Sequence, residues 1–210
     1  MDPVTIMVVS ASFAASCVAQ KCADEVVEKA WGKIRERIKA ARGKEPAPSD
    51  IASCLGGIEK KTGGGEVIEA VESVLGHSSA LRRAKFSESM LTEVRILWVD
   101  DHPENNSWER VTFTSLKMDV VPVLTTQDAL KLLAGESFDI IISDILREES
   151  QATGLLDLPK LRKASPMTPV VFYVGSVDAS QGIPPNSFGI TDDPEELLHL
   201  LLDIMERKRR

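Results

Sequence analysis

Hydrophobic and polar positions divide the chain into two regions with different periodicities. Up to about residue 93, apolar residues recur at helical spacing, whereas from Arg95 onwards short continuous apolar runs alternate with amphipathic segments. Helical spacing predicts helices that bury one face, and short apolar runs predict strands that are buried on both faces. We therefore expect an N-terminal α-helical region followed by an α/β region.

Three helices are predicted in the first region. Residues 4–42 have the pattern of one long helix that ends near Gly43, and loop prolines follow it. A short helix is predicted over Ile51 to Ile58, and an amphipathic helix over Glu66 to Leu75, with Gly76 as its C-terminal cap.

The predicted domain organisation follows these changes of pattern. Residues 1–76 are expected to form a helical effector, adaptor or oligomerisation region. Residues 77–93 are polar and are predicted to be a linker, either irregular or with helical content, and residues 94–210 are predicted to form the α/β domain.

Five apolar runs in the second region predict five strands. They are Ile96–Val99, Val120–Leu124, Asp139–Ser143, Val170–Val174 and Gly189–Thr191. The helices predicted between and after them are Pro103–Met118, Asp128–Ala134, with Thr126 as its cap, Leu155–Lys163 and Glu195–Arg207. Pro122 places the second strand at an edge of the sheet. This (βα)5 order predicts a flavodoxin-like, doubly wound parallel sheet with helices on both faces.

Acidic side chains follow two of the predicted strands. Asp100 and Asp101 come directly after the first strand, and Asp144 comes directly after the third. Ligands of such sheets bind outside the carboxyl ends of the strands, and converging carboxylates repel one another unless a cation binds. Mg²⁺ prefers oxygen ligands of this kind, and a carboxylate beside such a metal can attack a phosphorus centre. The pattern therefore predicts a Mg²⁺ and phosphoryl site.

Composition excludes several other classes of function. The chain has 210 residues and a formal net charge of −7, which gives no general case for a nucleic-acid partner. Three cysteines without CxxC spacing argue against a disulfide framework and a zinc site, so a cytoplasmic protein is expected.

An uncharged stretch opens the chain. Residues 3–20 carry no charged side chain, and their number is at the lower edge of a transmembrane length of roughly 17–25 residues. Serines and alanines dilute the hydrophobicity, and Asp2 replaces the basic segment of a signal peptide. A buried or self-associating helix is the first interpretation, and a membrane-inserting helix is the alternative.

Several motifs of the second region occur in an order typical of one signalling family. They are Ile96-Leu97-Trp98-Val99-Asp100-Asp101, Phe138-Asp139-Ile140-Ile141-Ile142-Ser143-Asp144, Gly154-Leu155, Pro169-Val170-Val171-Phe172 and Asp192-Asp193-Pro194-Glu195-Glu196-Leu197-Leu198. Over residues 95–206 this set resembles the response-regulator receiver domains of two-component signalling. The resemblance implies that Asp144 is the phosphoacceptor and that Asp100, Asp101 and Asp144 bind Mg²⁺ together with the backbone carbonyl of Leu146.

Departures from the receiver pattern are predicted to weaken phosphorylation. Val174 stands where the family has a Thr or Ser that contacts the phosphoryl group, and Ser176 is the candidate substitute. Asp192 stands where the family has a Lys that balances the phosphoryl charge. The segment between Val174 and Thr191 is short, so the fourth helix is predicted to be reduced or lost.

Three functions remain open, and none of them is that of an enzyme. The first is a signalling protein in which phosphorylation of Asp144 by a histidine kinase or another donor controls the helical region. The second is a phosphorylation-independent adaptor that forms homo-oligomers through residues 4–42, and the third is a membrane-acting effector through residues 3–20. A haloacid-dehalogenase-like phosphatase is disfavoured, because Leu146 stands where that class has a second Asp.

Three further residues near the site have plain interpretations. Trp98 is predicted to be a core residue, and His102 is interpreted as a loop histidine near the pocket rim. Arg147 is predicted to lie in a solvated loop with Glu148 and Glu149.

Overall fold

A computed structural model describes residues 1–58, 64–147, 154–178, 180 and 182–209. Its α-helices are α1 (Pro3–Ala19), α2 (Glu25–Arg42), α3 (Ile51–Ile58), α4 (Gly64–His77), α5 (Ser79–Phe86), α6 (Glu88–Leu91), α7 (Ser107–Ser115), α8 (Thr126–Leu133), α9 (Gly154–Ala164) and α10 (Pro194–Lys208). Its strands are β1 (Arg95–Val99), β2 (Asp119–Val123), β3 (Ile140–Ser143), β4 (Val170–Tyr173) and β5 (Gly189–Thr191). Short 3₁₀ turns at Pro48–Asp50 and Pro103–Asn106 precede α3 and α7.

The five strands form one parallel sheet in the order β2-β1-β3-β4-β5. The strand order reverses at β1, since β2 and β3 lie on opposite sides of it. This arrangement confirms the predicted flavodoxin-like α/β fold. Pro122 lies in β2 at the edge of the sheet, where its missing N–H removes no interior ladder bond.

The centre of the sheet is buried on both faces. Leu97, Val99 and Phe172 belong to a core cluster that also contains apolar residues of α8 and α9. Trp98 points to the other face, is buried, and packs edge-on against Tyr173 at a ring-centroid distance of 5.9 Å. The prediction that Trp98 is a core residue is therefore confirmed.

Two compact units divide the chain. The first consists of Met1–Glu88, Asn106–Leu116 and Asp193–Glu195, and the second of Ser89–Asn105, Lys117–Asp192 and Glu196–Arg210. Helix α7 therefore belongs to the same compact unit as the N-terminal helices, although it connects β1 to β2 along the chain. The domain boundaries proposed from the sequence, at residues 76 and 94, stay a prediction.

Helix α1 is the central helix of the first unit. It contacts α2, α3, α4 and α7, and every residue from Met7 to Cys17 is buried. A helix that is apolar all round is one whose whole surface is covered, which explains the absence of charge from residues 3–20. No described helix combines the length and the apolar character needed to cross a membrane.

The single helix predicted over residues 4–42 is wrong, because α1 and α2 are separate. Lys21 adopts a left-handed backbone conformation with φ 57°, which ends the first helix. Asp24 then begins α2, since its carboxylate accepts hydrogen bonds from the backbone N–H groups of Val26 and Val27. The predicted end at Gly43 is confirmed, with φ 72° in the αL cap.

The segment of residues 77–93, which was predicted to be a linker, contains α5 and α6. Helix α4 continues through Gly76 to His77, and the hydroxyl of Ser78 then caps α5 by accepting a hydrogen bond from Leu81. Leu81 and Ala84 are fully buried. The polar residues of this segment occupy the exposed face of a packed helix rather than a free connection.

The receiver-like elements deviate from the predicted bounds mainly at the helix starts. A 3₁₀ turn occupies the predicted beginning of α7. Thr125, not Thr126, caps α8, because its hydroxyl accepts a hydrogen bond from the backbone N–H of Asp128. The described residues between β4 and β5 contain no α-helix, which agrees with the prediction that the fourth helix is reduced or lost.

Candidate functional site

Asp100 and Asp144 lie at the carboxyl ends of two neighbouring strands. In the register of β1 and β3, Val99 pairs with Ser143, so that the two aspartates occupy the next position of each strand. The backbone N–H of Asp144 donates to the carbonyl of Val99 at 3.0 Å, which continues the ladder to this point. The parallel sheet thus brings together acidic residues that are 44 positions apart in the sequence.

Asp101 and His102 extend the acidic site beside Asp100. Carboxylate oxygens of Asp100 and Asp101 and a ring nitrogen of His102 lie within 4.8 Å of one another among the described residues. Asp100 is buried, and its carboxylate accepts a hydrogen bond of 2.7 Å from the backbone N–H of His102. The Nδ1 atom of His102 lies 3.3 Å from the Asp101 carboxylate. His102 therefore lies in the site itself. The feature of the sequence that indicated this placement was its position directly after the acidic pair.

The Asp144 carboxylate is held by backbone groups in an acidic surrounding. It accepts a hydrogen bond of 2.7 Å from the backbone N–H of Ile145. Burial and the charge of Asp100 raise the pKa of Asp144 above its ordinary value, with a smaller contribution from Asp101. Backbone N–H groups of Ile145 and Leu146 oppose this increase. A cation near these three carboxylates would relieve the same repulsion.

Arg147 is buried beneath the acidic site. Its guanidinium donates to the hydroxyl of Thr126 at 2.9 Å and to that of Ser143 at 3.4 Å. It also lies 3.8 Å from the Asp157 carboxylate, which accepts a hydrogen bond of 2.7 Å from Thr126. The prediction of a solvated position is wrong for Arg147, because partners on α8 and α9 enclose it. Glu148 and Glu149 lie outside the described residues.

The charge of Arg147 acts on the acidic site as well as on Asp157. Burial lowers the pKa of Arg147, while the charges of Asp157, Asp144, Asp101 and Asp100, in that order, oppose the decrease. The receiver resemblance and the acidic motif gave no signal for this residue, since a single arginine in a polar loop is common. Only the fold shows that a buried guanidinium lies near the carboxylates.

Gly154 is required by the close packing of the β3–α9 connection. A Cβ atom there would overlap the carbonyl oxygen of Asp144 and approach a guanidinium nitrogen of Arg147 to 3.0 Å. The backbone N–H of Gly154 donates to the carbonyl of Ile145. Glycine, which lacks a Cβ, permits this approach of the backbones.

Comparisons with known proteins give matches to solved structures. The chain is similar to a CheY-like response regulator receiver domain protein from Methanospirillum hungatei (18% identity, 56% of this chain, 98% of that chain, TM-score 0.49). It is also similar to the chemotaxis response regulator CheY4 of Vibrio cholerae (21% identity, 54% and 99%, TM-score 0.47). A third is the response regulator TrrA of Thermotoga maritima in complex with Mg²⁺-BeF (18% identity, 52% and 97%, TM-score 0.46). No protein-family model matches the sequence, and no curated protein matches it either.

Strand order and the two acidic strand ends together decide the type of fold. The carboxyl-terminal part of the chain has a receiver-domain fold. We use the term receiver region for residues 94–210.

Asp192 has a structural partner in the receiver region. Its carboxylate accepts a hydrogen bond of 2.9 Å from the backbone N–H of Val177, which fastens the segment after β4. Val174 donates its backbone N–H to the carbonyl of Thr191 at 3.1 Å and offers no hydroxyl. Ser176 is exposed and lines the same cavity as Asp144. Its contact with a phosphoryl group stays a prediction.

An open cavity of about 840 Å³ adjoins the acidic site. It lies beyond the carboxyl ends of β3, β4 and β5, beside the beginning of α9. Its described lining residues are Asn105, Asp144, Ile145, Leu146, Leu155, Leu158, Val174, Gly175, Ser176, Asp178, Gly182, Pro184, Pro185 and Ile190. The cavity borders the segment between β4 and β5, whose described residues contain no α-helix.

Proposed function

We propose that this chain is a cytoplasmic signalling protein whose receiver region binds Mg²⁺ and accepts a phosphoryl group on Asp144. The observation that carries the proposal is the placement of Asp144 beside Asp100 at the ends of β1 and β3. Two neighbouring carboxylates at this edge of a parallel sheet repel each other, and a bound cation removes this repulsion.

The donor atoms at the site suit a hard divalent cation. Asp100, Asp101 and Asp144 would hold Mg²⁺ through carboxylate oxygens, with the carbonyl of Leu146 as a further ligand. Bound Mg²⁺ supplies neutralisation of the charge on a transferring phosphoryl group. The complex of the Thermotoga maritima response regulator with Mg²⁺-BeF is in keeping with this proposal.

Residues of the chain supply the remaining parts of the proposed switch. The Asp144 carboxylate is the nucleophile and Ser176 is the candidate phosphoryl contact. Arg147 supplies buried positive charge near the site. In this role Asp144 is modified by a histidine kinase or another phosphodonor, and the protein is a switch rather than an enzyme.

The N-terminal helices are the proposed output. Helix α7 follows the Asp100-Asp101 segment in the chain and packs on α1 within the first unit. The hydroxyls of Ser12 and Thr112 lie 2.8 Å apart, and Ser16 donates to Glu109 at 2.7 Å. A change in α7 would therefore alter the packing of α1. Homo-oligomers formed through these helices, or a signalling protein bound to them, would read out the change.

A phosphorylation-independent adaptor is the second candidate function. The observation that favours it is the hydrogen bond from Val177 to Asp192, because an anion with a structural partner occupies the usual position of the charge-balancing Lys. Val174 also removes the usual hydroxyl from the end of β4. In this case the acidic site would bind a cation without switching.

Tryptophan fluorescence separates the two candidates. Trp98 is buried in β1, two residues before Asp100, and the variant W31F/W108F would retain it as the single tryptophan. The protein is titrated with Mg²⁺ and then with beryllofluoride, and the same titrations are repeated with Asp144→Asn.

Two of the outcomes each support one function, and the third contradicts the metal site. A Mg²⁺ response followed by a beryllofluoride response that needs Asp144 supports the phosphoryl switch. A Mg²⁺ response with no effect of beryllofluoride supports the adaptor. The absence of both responses contradicts the proposed metal site.

A further inference from the structure

The cavity beside Asp144 has the position and size of a small-molecule site. It lies outside the carboxyl ends of parallel strands, where α/β sheets bind their ligands. Its volume of about 840 Å³ falls in the range of roughly 300–1,000 Å³ that is typical of ligand pockets.

Most of the described lining is apolar. Leu158 and Leu155 of α9 form one side, and Val174 and Ile190 lie at the ends of β4 and β5. Leu146 also lines the cavity, and its side chain is 73% exposed. A ligand with an apolar body would remove this surface from water, which is favourable.

The charged side chains of the described lining are both acidic. Asp144 lies at the end of β3 and Asp178 lies in the segment after β4, and no described lining residue is a cation. The carboxylate of Asp178 accepts hydrogen bonds from the backbone N–H and the hydroxyl of Ser180, which hold it in place. Two carboxylates attract a cationic group and repel an anionic one.

We propose that the cavity binds a small amphipathic cation, an organic ammonium compound with an apolar body. The ammonium group lies between Asp144 and Asp178, and the apolar body lies against α9 and the ends of β4 and β5. The ligand site shares Asp144 with the proposed phosphoryl site, so an ammonium group and Mg²⁺ would compete for that carboxylate. Asp178 and the apolar walls have no part in phosphoryl transfer, so binding of the ligand does not depend on phosphorylation.

The test uses two eight-carbon probes of opposite charge. Octylammonium and octanoate are titrated separately into the full ¹⁵N-labelled chain in metal-free buffer, and backbone amide shifts are followed by NMR. Octylammonium is expected to bind at least about tenfold more tightly than octanoate, a difference of about 1.4 kcal/mol. The largest shifts are expected at Gly175, Ser176 and Ile190.

A matched pair of glycine variants tests the position of the site. A Cβ atom at Gly175 or at Gly135 would meet no atom within 4 Å, but only Gly175 lines the cavity. Gly175→Leu is expected to weaken octylammonium binding about tenfold or more, while Gly135→Leu leaves it unchanged. Should Gly175→Leu not fold, Ser176→Leu at the neighbouring exposed position replaces it.

Specific results would overturn the proposal. Equal affinity for octanoate would refute the cationic ligand, and unchanged binding in Gly175→Leu would refute the location. The absence of any octylammonium binding would refute a small-molecule site. Asp178→Asn is expected to weaken octylammonium binding without altering the Mg²⁺ titration of Trp98, so that failure here is distinguishable from failure of the phosphoryl site.

Discussion

At the scale of single residues, buried charge decides the character of the receiver region. Arg147 is hydrogen-bonded to Thr126 and Ser143 and lies near Asp157, so its guanidinium is satisfied inside the protein. A buried cation of this kind is costly unless its partners are present, and its removal also leaves those partners without a donor. It therefore links the end of β3 to α8 and α9.

Arg147→Met is expected to lower the free energy of unfolding by about 2–4 kcal/mol, because it removes a buried, hydrogen-bonded cation. Urea denaturation followed by circular dichroism measures the change. Lys131→Met is the control, since Lys131 forms an exposed ion pair with Asp128 that is worth less than about 1 kcal/mol. Equal losses in the two variants would contradict a buried structural role for Arg147.

Asp144→Asn is expected to stabilise the metal-free protein at neutral pH. The pKa of Asp144 is raised above its ordinary value of 3.8, so ionisation of this carboxyl is less favourable in the folded state than in the unfolded state. Its charge therefore has no effect on stability below pH 3.8 and lowers stability as the pH rises through the raised folded-state pKa. The gain in the free energy of unfolding from Asp144→Asn should be near zero at pH 3 and should grow towards pH 7.

Asp128→Asn is expected to change the free energy of unfolding in the opposite direction when it is measured over the same range of pH. Hydrogen bonds from Lys131 and Thr125 lower the pKa of Asp128, so its stabilising effect is present above the ordinary value of 3.8 and is lost as the pH falls. The effect is expected to be small, because the carboxylate is exposed. A gain in the free energy of unfolding from Asp144→Asn that does not change with pH would contradict an unfavourable charge on Asp144 in the folded state.

At the scale of elements, α1 and α7 are joined by buried polar contacts. Ser12 and Ser16 lie one turn apart on α1, and Thr112 and Glu109 lie on the facing side of α7. Trp31 of α2 packs edge-on against Trp108 of α7 at a centroid distance of 5.4 Å. These contacts fix the register of α7 among the N-terminal helices.

Ser16→Ala is expected to destabilise the protein by about 1.5–3 kcal/mol, since it removes a hydrogen bond to the buried carboxylate of Glu109. Thermal unfolding of the variant is compared with that of Ser53→Ala. The hydroxyl of Ser53 bonds an exposed carbonyl within its own turn, so its loss should cost little. A larger loss for Ser53→Ala than for Ser16→Ala would contradict the role of the α1–α7 contact.

At the scale of the whole molecule, compact units do not follow the order of the chain. The first unit takes α7 from the middle of the receiver region, together with Asp193–Glu195 from the start of α10. Glu195 accepts hydrogen bonds from the backbone N–H and the hydroxyl of Ser79. The first unit therefore combines the N-terminal helices with elements from the receiver region, and the domain boundaries at residues 76 and 94 stay a prediction.

A fragment of residues 89–210 is expected to be less stable than the full chain and prone to aggregation. It would lose the contacts that α1 makes with Glu109 and Thr112 and would expose the Trp108 ring that packs on Trp31 in the first unit. Size-exclusion chromatography and urea unfolding measure the outcome. A monomeric fragment that unfolds at the same urea concentration as the full chain would contradict this expectation.

The sequence by itself determined the (βα)5 fold and the place of the acidic site. Strand periodicity is a local property, and parallel pairing then brings Asp100 and Asp144 to one edge without further information. The caps at Asp24 and Thr125 also depend on local sequence, although one continuous helix was predicted across Asp24 and the other cap was predicted at Thr126.

Only the tertiary structure decided the partners of α7 and the burial of Arg147. The bond between Ser16 and Glu109 joins residues 93 positions apart, and that between Arg147 and Thr126 spans 21 positions. Local patterning cannot encode such contacts, because a polar side chain has the same sequence signature whether water or a distant residue satisfies it. The cavity beside Asp144 has the same origin, since it depends on how segments far apart in the chain leave space between them.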